Sequence, residues 1–203
     1  MSPCVRLTFD DGPGPSTPHL LDVLKRASCE VTFFVLGKHL AQHPEVGARI
    51  LREGHALGNH TWTHARPGDL REKELIEEIE ATDALIRAAH KQADLSVAPA
   101  IALRLPYGLQ AQDPRAPVLE HLSRAHSGWT LIPDDWQRPA PAPQALADIM
   151  RGHIATQTAQ GHEAVICLHD GSRHGDARPA TVEAVRLLLG DAHWRIAARG
   201  GAQ

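Results

Sequence analysis

Aromatic residues are scarce in this chain: one tyrosine, three phenylalanines and four tryptophans among 203 residues. Clusters of basic residues are missing too. Only two lysines follow residue 70, the arginines are scattered, and no run of five basic residues occurs. A surface that neutralises a phosphate backbone needs such clustering, so no nucleic-acid partner is expected. The three cysteines, Cys4, Cys29 and Cys167, are odd in number and form no CxxC pair. That argues against a disulfide framework and against a thiolate zinc cage, and the cysteines read as buried small hydrophobic residues. No stretch approaches the roughly 18 apolar residues needed to cross a bilayer, so no membrane partner is expected. The opening residues also lack the basic start and apolar segment of a secretory signal, which, taken literally, makes the chain cytoplasmic.

What remains is the composition of an ordinary globule, with 42% hydrophobic residues, 22% charged residues and a formal charge of -3. The length predicts a single domain over residues 1–203. Histidine is abundant at 14 residues, so metal-like spacings arise here by chance.

Short apolar runs rich in β-branched and aromatic residues alternate with segments of helical period, which is the pattern of repeated βα units. Seven strands are expected, at residues 5–9, 31–36, 55–58, 101–105, 128–132, 164–169 and 194–197. Helices are expected at residues 17–27, with Thr17 as N-cap, and at 44–52, 69–90, 117–125, 143–159 and 179–189. Strands that alternate with helices favour a parallel sheet, either open and doubly wound or closed into a small irregular barrel. Both place chemistry at the carboxyl ends of the strands.

Polar residues terminate several of these runs. The first ends in Asp10 and Asp11, followed by Gly12 and Pro13, which break the extended geometry and allow both carboxylates to reach one site. The third leads into His60 and His64, spaced to share one face of a helical turn and to hold one metal ion. His39 and His43 have the same spacing but lie at the start of a helical segment, and are read as structural. Two imidazoles and one carboxylate make the three-ligand set of a catalytic zinc, leaving the second aspartate free to accept a proton from bound water. The fourth run ends with Arg104, able to grip that aspartate in a two-pronged hydrogen bond, and a turn at Pro106, Tyr107 and Gly108 whose N–H groups suit an oxyanion. The sixth delivers His169 to the rim as a candidate general acid. Trp136, after the fifth run, suits a sugar ring or simple packing.

In this order the residues resemble the polysaccharide deacetylase superfamily, the NodB homology domain of carbohydrate esterase family 4, across residues 8–170. The resemblance implies a distorted, incompletely closed (β/α)7 barrel with parallel strands. It implies Asp10 as general base, Asp11, His60 and His64 as metal ligands, and Arg104 as the residue that steadies the base. It further implies an oxyanion donor at Tyr107, with Leu168 lining the acetyl-methyl pocket, Trp136 contacting substrate and His169 as general acid. The implied cofactor is a divalent metal, zinc with cobalt or nickel as substitutes. The implied substrate is an acetylated carbohydrate of chitooligosaccharide or peptidoglycan type, deacetylated at nitrogen. Oligomeric state is not encoded in any of these motifs.

The fourth motif departs. The family commonly carries an aspartate three residues before the Asp-Trp pair, and here that position is Ile132, which cannot support His169. Asp135 and Trp136 fit the pair, and the sequence leaves open whether Asp134, after a local shift, or Asp135 replaces the missing aspartate. Two other readings compete: a hydrolase of O-acetyl esters or small soluble amides with the same metal site, and a catalytically silent carbohydrate-binding relative.

Overall fold

The computed structural model describes residues 5–97 and 100–190. Four strands form a parallel sheet: β1 (Val5–Asp10), β2 (Thr32–Val35), β3 (Ala56–Asn59) and β4 (Ala164–His169), in the order β3-β2-β1-β4. Every side chain of β1 except the half-buried Arg6 is buried, as expected of a strand covered on both faces. Register fixes the rim: Asp10 pairs with Phe34 on one side and with His169 on the other, so base and acid candidates stand on adjacent strand ends.

The sheet is not fully closed. Beyond β3 and β4 the ring continues only through isolated parallel bridges, Asn59 with Leu103, Leu103 with His126, and Leu131 with Ile166. The strands expected at 101–105 and 128–132 are therefore corrected to these single bridges. A few backbone hydrogen bonds, such as Arg104 N–H to the Asn59 carbonyl and Cys167 N–H to the Leu131 carbonyl, hold them to β3 and β4, and side chains add to these. Arg104 donates to the carbonyls of Ser127 and Gly128, and the Leu105 N–H donates to Nδ1 of His126. The strand expected at 194–197 lies outside the described residues, as does Cys4.

Seven helices are described: α1 (Thr17–Arg26), α2 (Gly37–Gln42), α3 (Pro44–Arg52), α4 (Glu72–Gln92), α5 (Ala116–His121), α6 (Pro143–Ala159) and α7 (Pro179–Gly190). Proline opens α3, α6 and α7, where its missing N–H costs nothing and its fixed φ favours the first turn. The N-cap of α1 is Ser16, one residue before the expected Thr17. In α4, Leu75, Ile79, Ile86 and Ala89 recur at helical spacing and turn one face inward. The main core gathers Phe9, Phe33, Leu20, Leu24, Ile50 and Ile166 between sheet and helices, and the rings of Phe9 and Phe33 stack at 5.4 Å. Each such side chain contributes on the order of 1.5–3 kcal/mol by leaving water. Cys29 belongs to this core, and burial pushes its thiol up to about 12. Among the described residues, no helix is long and apolar enough to cross a membrane.

Candidate active site

A groove of about 580 Å³ opens at the carboxyl ends of the strands, lined among others by Asp10, Asp11, His60, His64, Tyr107 and His169. Asp11 leaves β1 at φ +72, a left-handed turn that swings its carboxylate back toward the groove instead of continuing the strand's alternation. The Asp170 side chain lies over Gly12, where any Cβ would stand 2.2 Å from its carboxylate, so only glycine fits at this turn.

His60 and His64 do meet Asp11, but not through a helical turn. Residues 60–64 form a loop after β3, with Thr61 and His64 at φ +64 and +63. That corrects the expected helical geometry. Asn59 holds the loop: its amide donates to the Ile79 carbonyl and to Asp83, while its side-chain oxygen accepts the Thr61 N–H. Glu78 accepts the N–H groups of Trp62 and Thr63.

Nε2 of His64 lies 3.2 Å and Nε2 of His60 3.6 Å from Oδ1 of Asp11. His60 donates its Nδ1–H to the Arg104 carbonyl at 2.8 Å, which fixes the tautomer and leaves the Nε2 lone pair facing Asp11. Burial pushes His64 down to about 4, so its ring is neutral. Oδ1 of Asp11 is buried with no hydrogen-bond partner. An orphaned buried carboxylate oxygen facing two imidazole nitrogens is costly unless a cation lies among them. The three donor atoms all fall within 4.8 Å of one another and open onto the groove, which fits a divalent metal held by three protein ligands.

Beside this set stands Asp10, buried, with Oδ2 3.8 Å from Nε2 of His60 and Oδ1 accepting from Nη1 of Arg104 at 2.8 Å. Burial acts to raise this carboxyl, but Arg104, His60 and His169 together outweigh it and hold it below the usual carboxylate range. The grip is single and not two-pronged, because Arg104 spreads its other hydrogen bonds over Thr8 and the carbonyls of Ser127 and Gly128. Its guanidinium also lies 4.0 Å over the Phe34 ring.

His169 donates its Nδ1–H to Oδ1 of Asp135 at 2.8 Å, and its backbone N–H reaches Oδ2 of the same carboxylate. Asp135, itself buried and bonded by the Thr181 hydroxyl, is therefore the partner that the Ile132 position left open, and Asp134 is not. Burial would lower His169, yet the Asp135 charge overcomes it and pushes the imidazole up to about 9.

The three substrate-side expectations divide. Tyr107 and Trp136 line the groove and are 44% and 48% exposed, with Tyr107 at φ +64 and its ring edge on His64. Leu168 does not reach it. Strand alternation turns Leu168 into the core at 0% exposure and presents Cys167 and His169 to the groove. The spacing to His169 carried that signal. Trp129 also lines the groove. His39, assigned above to structure, donates to the Asp11 carbonyl at 2.8 Å and so braces the turn that aims a ligand. Asn59, Glu78 and His39 were not singled out for the site, since their roles depend on contacts between distant segments.

The sequence profile described as polysaccharide deacetylase matches residues 1–121. A chitooligosaccharide deacetylase of Bradyrhizobium sp. (strain ANU 289) is 36% identical over 179 residues, covering 87% of this chain and 75% of the relative. A second, from Sinorhizobium fredii, is 31% identical over 205 residues, covering 96% and 87%. Among solved structures, a T48 deacetylase with substrate superposes with a TM-score of 0.74, at 31% identity over 97% of this chain and 88% of that one.

Proposed function

Because the chain belongs to the polysaccharide deacetylase family, we propose that it is a metal-dependent deacetylase that hydrolyses N-acetyl groups on an amino-sugar polymer or oligosaccharide. The products are acetate and a free amine. We propose zinc as the resident metal, held by Asp11, His60 and His64, with cobalt or nickel able to substitute. When bound, the cation acts as a Lewis acid toward the amide carbonyl and acidifies water.

The remaining work belongs to side chains. Asp10, kept ionised and oriented by Arg104, takes a proton from the attacking water through Oδ2. The Tyr107 N–H donates to the developing oxyanion, a contribution commonly worth about 3 kcal/mol. His169, held protonated by Asp135, gives its proton from Nε2 to the leaving nitrogen. Trp136, Trp129 and Tyr107 offer flat faces to the sugar rings.

The buried Asp135–His169 pair is the observation that carries the reading. An amide nitrogen cannot leave as an anion, so N-deacetylation needs a general acid that is already protonated; an O-acetyl ester does not. The same pair disfavours a silent binding relative, because a non-catalytic groove has no use for an imidazole kept charged at neutral pH. Acetate release by the purified protein from N-acetylglucosamine oligomers, peptidoglycan glycan strands and acetylated xylan tests this. The expected result is chelator-sensitive release from the amino sugars, restored by zinc and abolished by Asp10→Asn. Release from acetylated xylan alone, or release indifferent to chelator, would overturn it.

A further inference from the structure

The groove contains a second set of metal-ligating atoms that the proposed reaction does not use as such. Asp10, Cys167 and His169 each direct a donor atom to within 4.8 Å of the others, and none belongs to the Asp11, His60 and His64 set. Arg104 occupies Oδ1 of Asp10, which leaves Oδ2 for the groove, and the Cys167 thiol donates to that oxygen at 3.3 Å. Asp135 occupies Nδ1 of His169, which leaves Nε2 free. One carboxylate oxygen, one sulfur and one imidazole nitrogen thus converge, with the second polar atom of Asp10 and of His169 already anchored.

We propose that these three residues form a second, inhibitory site for a soft divalent cation such as zinc or cadmium. Thiolate and imidazole donors select zinc and cadmium over magnesium or calcium, which prefer oxygen. Binding releases two protons to the buffer, one from the Cys167 thiol and one from Nε2 of the His169 imidazolium, and joins sulfur, oxygen and nitrogen to the ion. It also occupies both groups the reaction needs free: Oδ2 of Asp10 as proton acceptor and Nε2 of His169 as proton donor. Occupation of this site and turnover exclude each other. The neighbouring Arg104 charge and the buried thiol weaken the site relative to the first, so it fills only when metal exceeds one equivalent.

Inhibition rests on the deacetylase reading, but the metal site does not, and the test separates them. Metal-free full-length protein is titrated with cadmium while the ultraviolet cadmium–thiolate absorption band is followed. The first equivalent is expected to be silent, and the band to grow with the second. Cys167→Ala removes the band although Cys4 and Cys29 remain, and His169→Gln, which keeps the thiol, moves its appearance to at least tenfold higher cadmium. In acetate-release assays, zinc or cadmium beyond one equivalent inhibits while magnesium does not, and Cys167→Ala raises the inhibitory midpoint at least tenfold. A band arising with the first equivalent, no band with the second, or a band that survives Cys167→Ala would overturn the proposal. Failure to release acetate at any metal ratio, with the band as expected, would overturn the deacetylase reading alone.

Discussion

The two banks of the groove are built on different principles. On the bank of Asp11, His60 and His64, the supporting contacts are neutral: His60 is held by the Arg104 carbonyl, and the Asp11 carbonyl is held by His39. On the bank of Asp10 and His169, the supports are charged, Arg104 for one and Asp135 for the other. A metal ligand must offer an uncharged imidazole lone pair, and a carbonyl partner fixes direction without drawing a proton onto the ring. An acid or a base must instead be held in one protonation state, which requires a formal charge beside it. The same residue, Arg104, serves both banks, its carbonyl facing His60 and its guanidinium facing Asp10.

That comparison is broken most severely at Arg104. Arg104→Met removes the partner of a buried carboxylate, a class of change that costs about 3–5 kcal/mol of stability, and thermal unfolding should register it as a large fall in Tm. Next in size is His169→Ala, for which kcat should fall by about 10² to 10⁴ while metal content, measured by elemental analysis, stays at wild-type level. A parallel loss of metal would show that the banks are not separate.

Asp135→Asn sharpens the distinction. With the charge removed, burial governs His169, and the alkaline limb of the pH–rate profile should move down from about 9 toward or below 6.5. Because the folded pKa is raised, the pair's stabilisation is fully present below about 6.5 and lost as pH rises through 9. Denaturant unfolding at pH 6 and pH 9.5 should therefore differ by more in the wild type than in Asp135→Asn. The smallest effect is expected on the neutral bank: His39→Ala should weaken zinc affinity by about 10- to 100-fold with an unchanged pH profile, read by competition with a chromophoric chelator.

Much of this was legible before any coordinates. The apolar runs ending in Asp10 and Asp11, in Asn59 and His60, and in His169 became β1, β3 and β4, with their polar ends on one rim. Residues 101–105 and 128–132 have equally strand-like composition, yet they reach β3 and β4 only through isolated bridges, with Arg104 and His126 side chains taking part of the hydrogen bonding, an outcome no local pattern contains. Leu168 was misplaced although period-two alternation from His169 assigned the groove position to Cys167.

What the sequence determined by itself is the inventory and its placement: periodicity sets which residues end strands, and strand ends in a parallel βα fold share one face. Which carboxylate reaches His169 was settled only by tertiary structure, as were the use of a loop at positive φ to aim His64 and the bracing of Asp11 by His39. Those contacts join segments tens of residues apart, and their distances depend on how loops pack over the rim, a property of the folded whole and not of any local stretch.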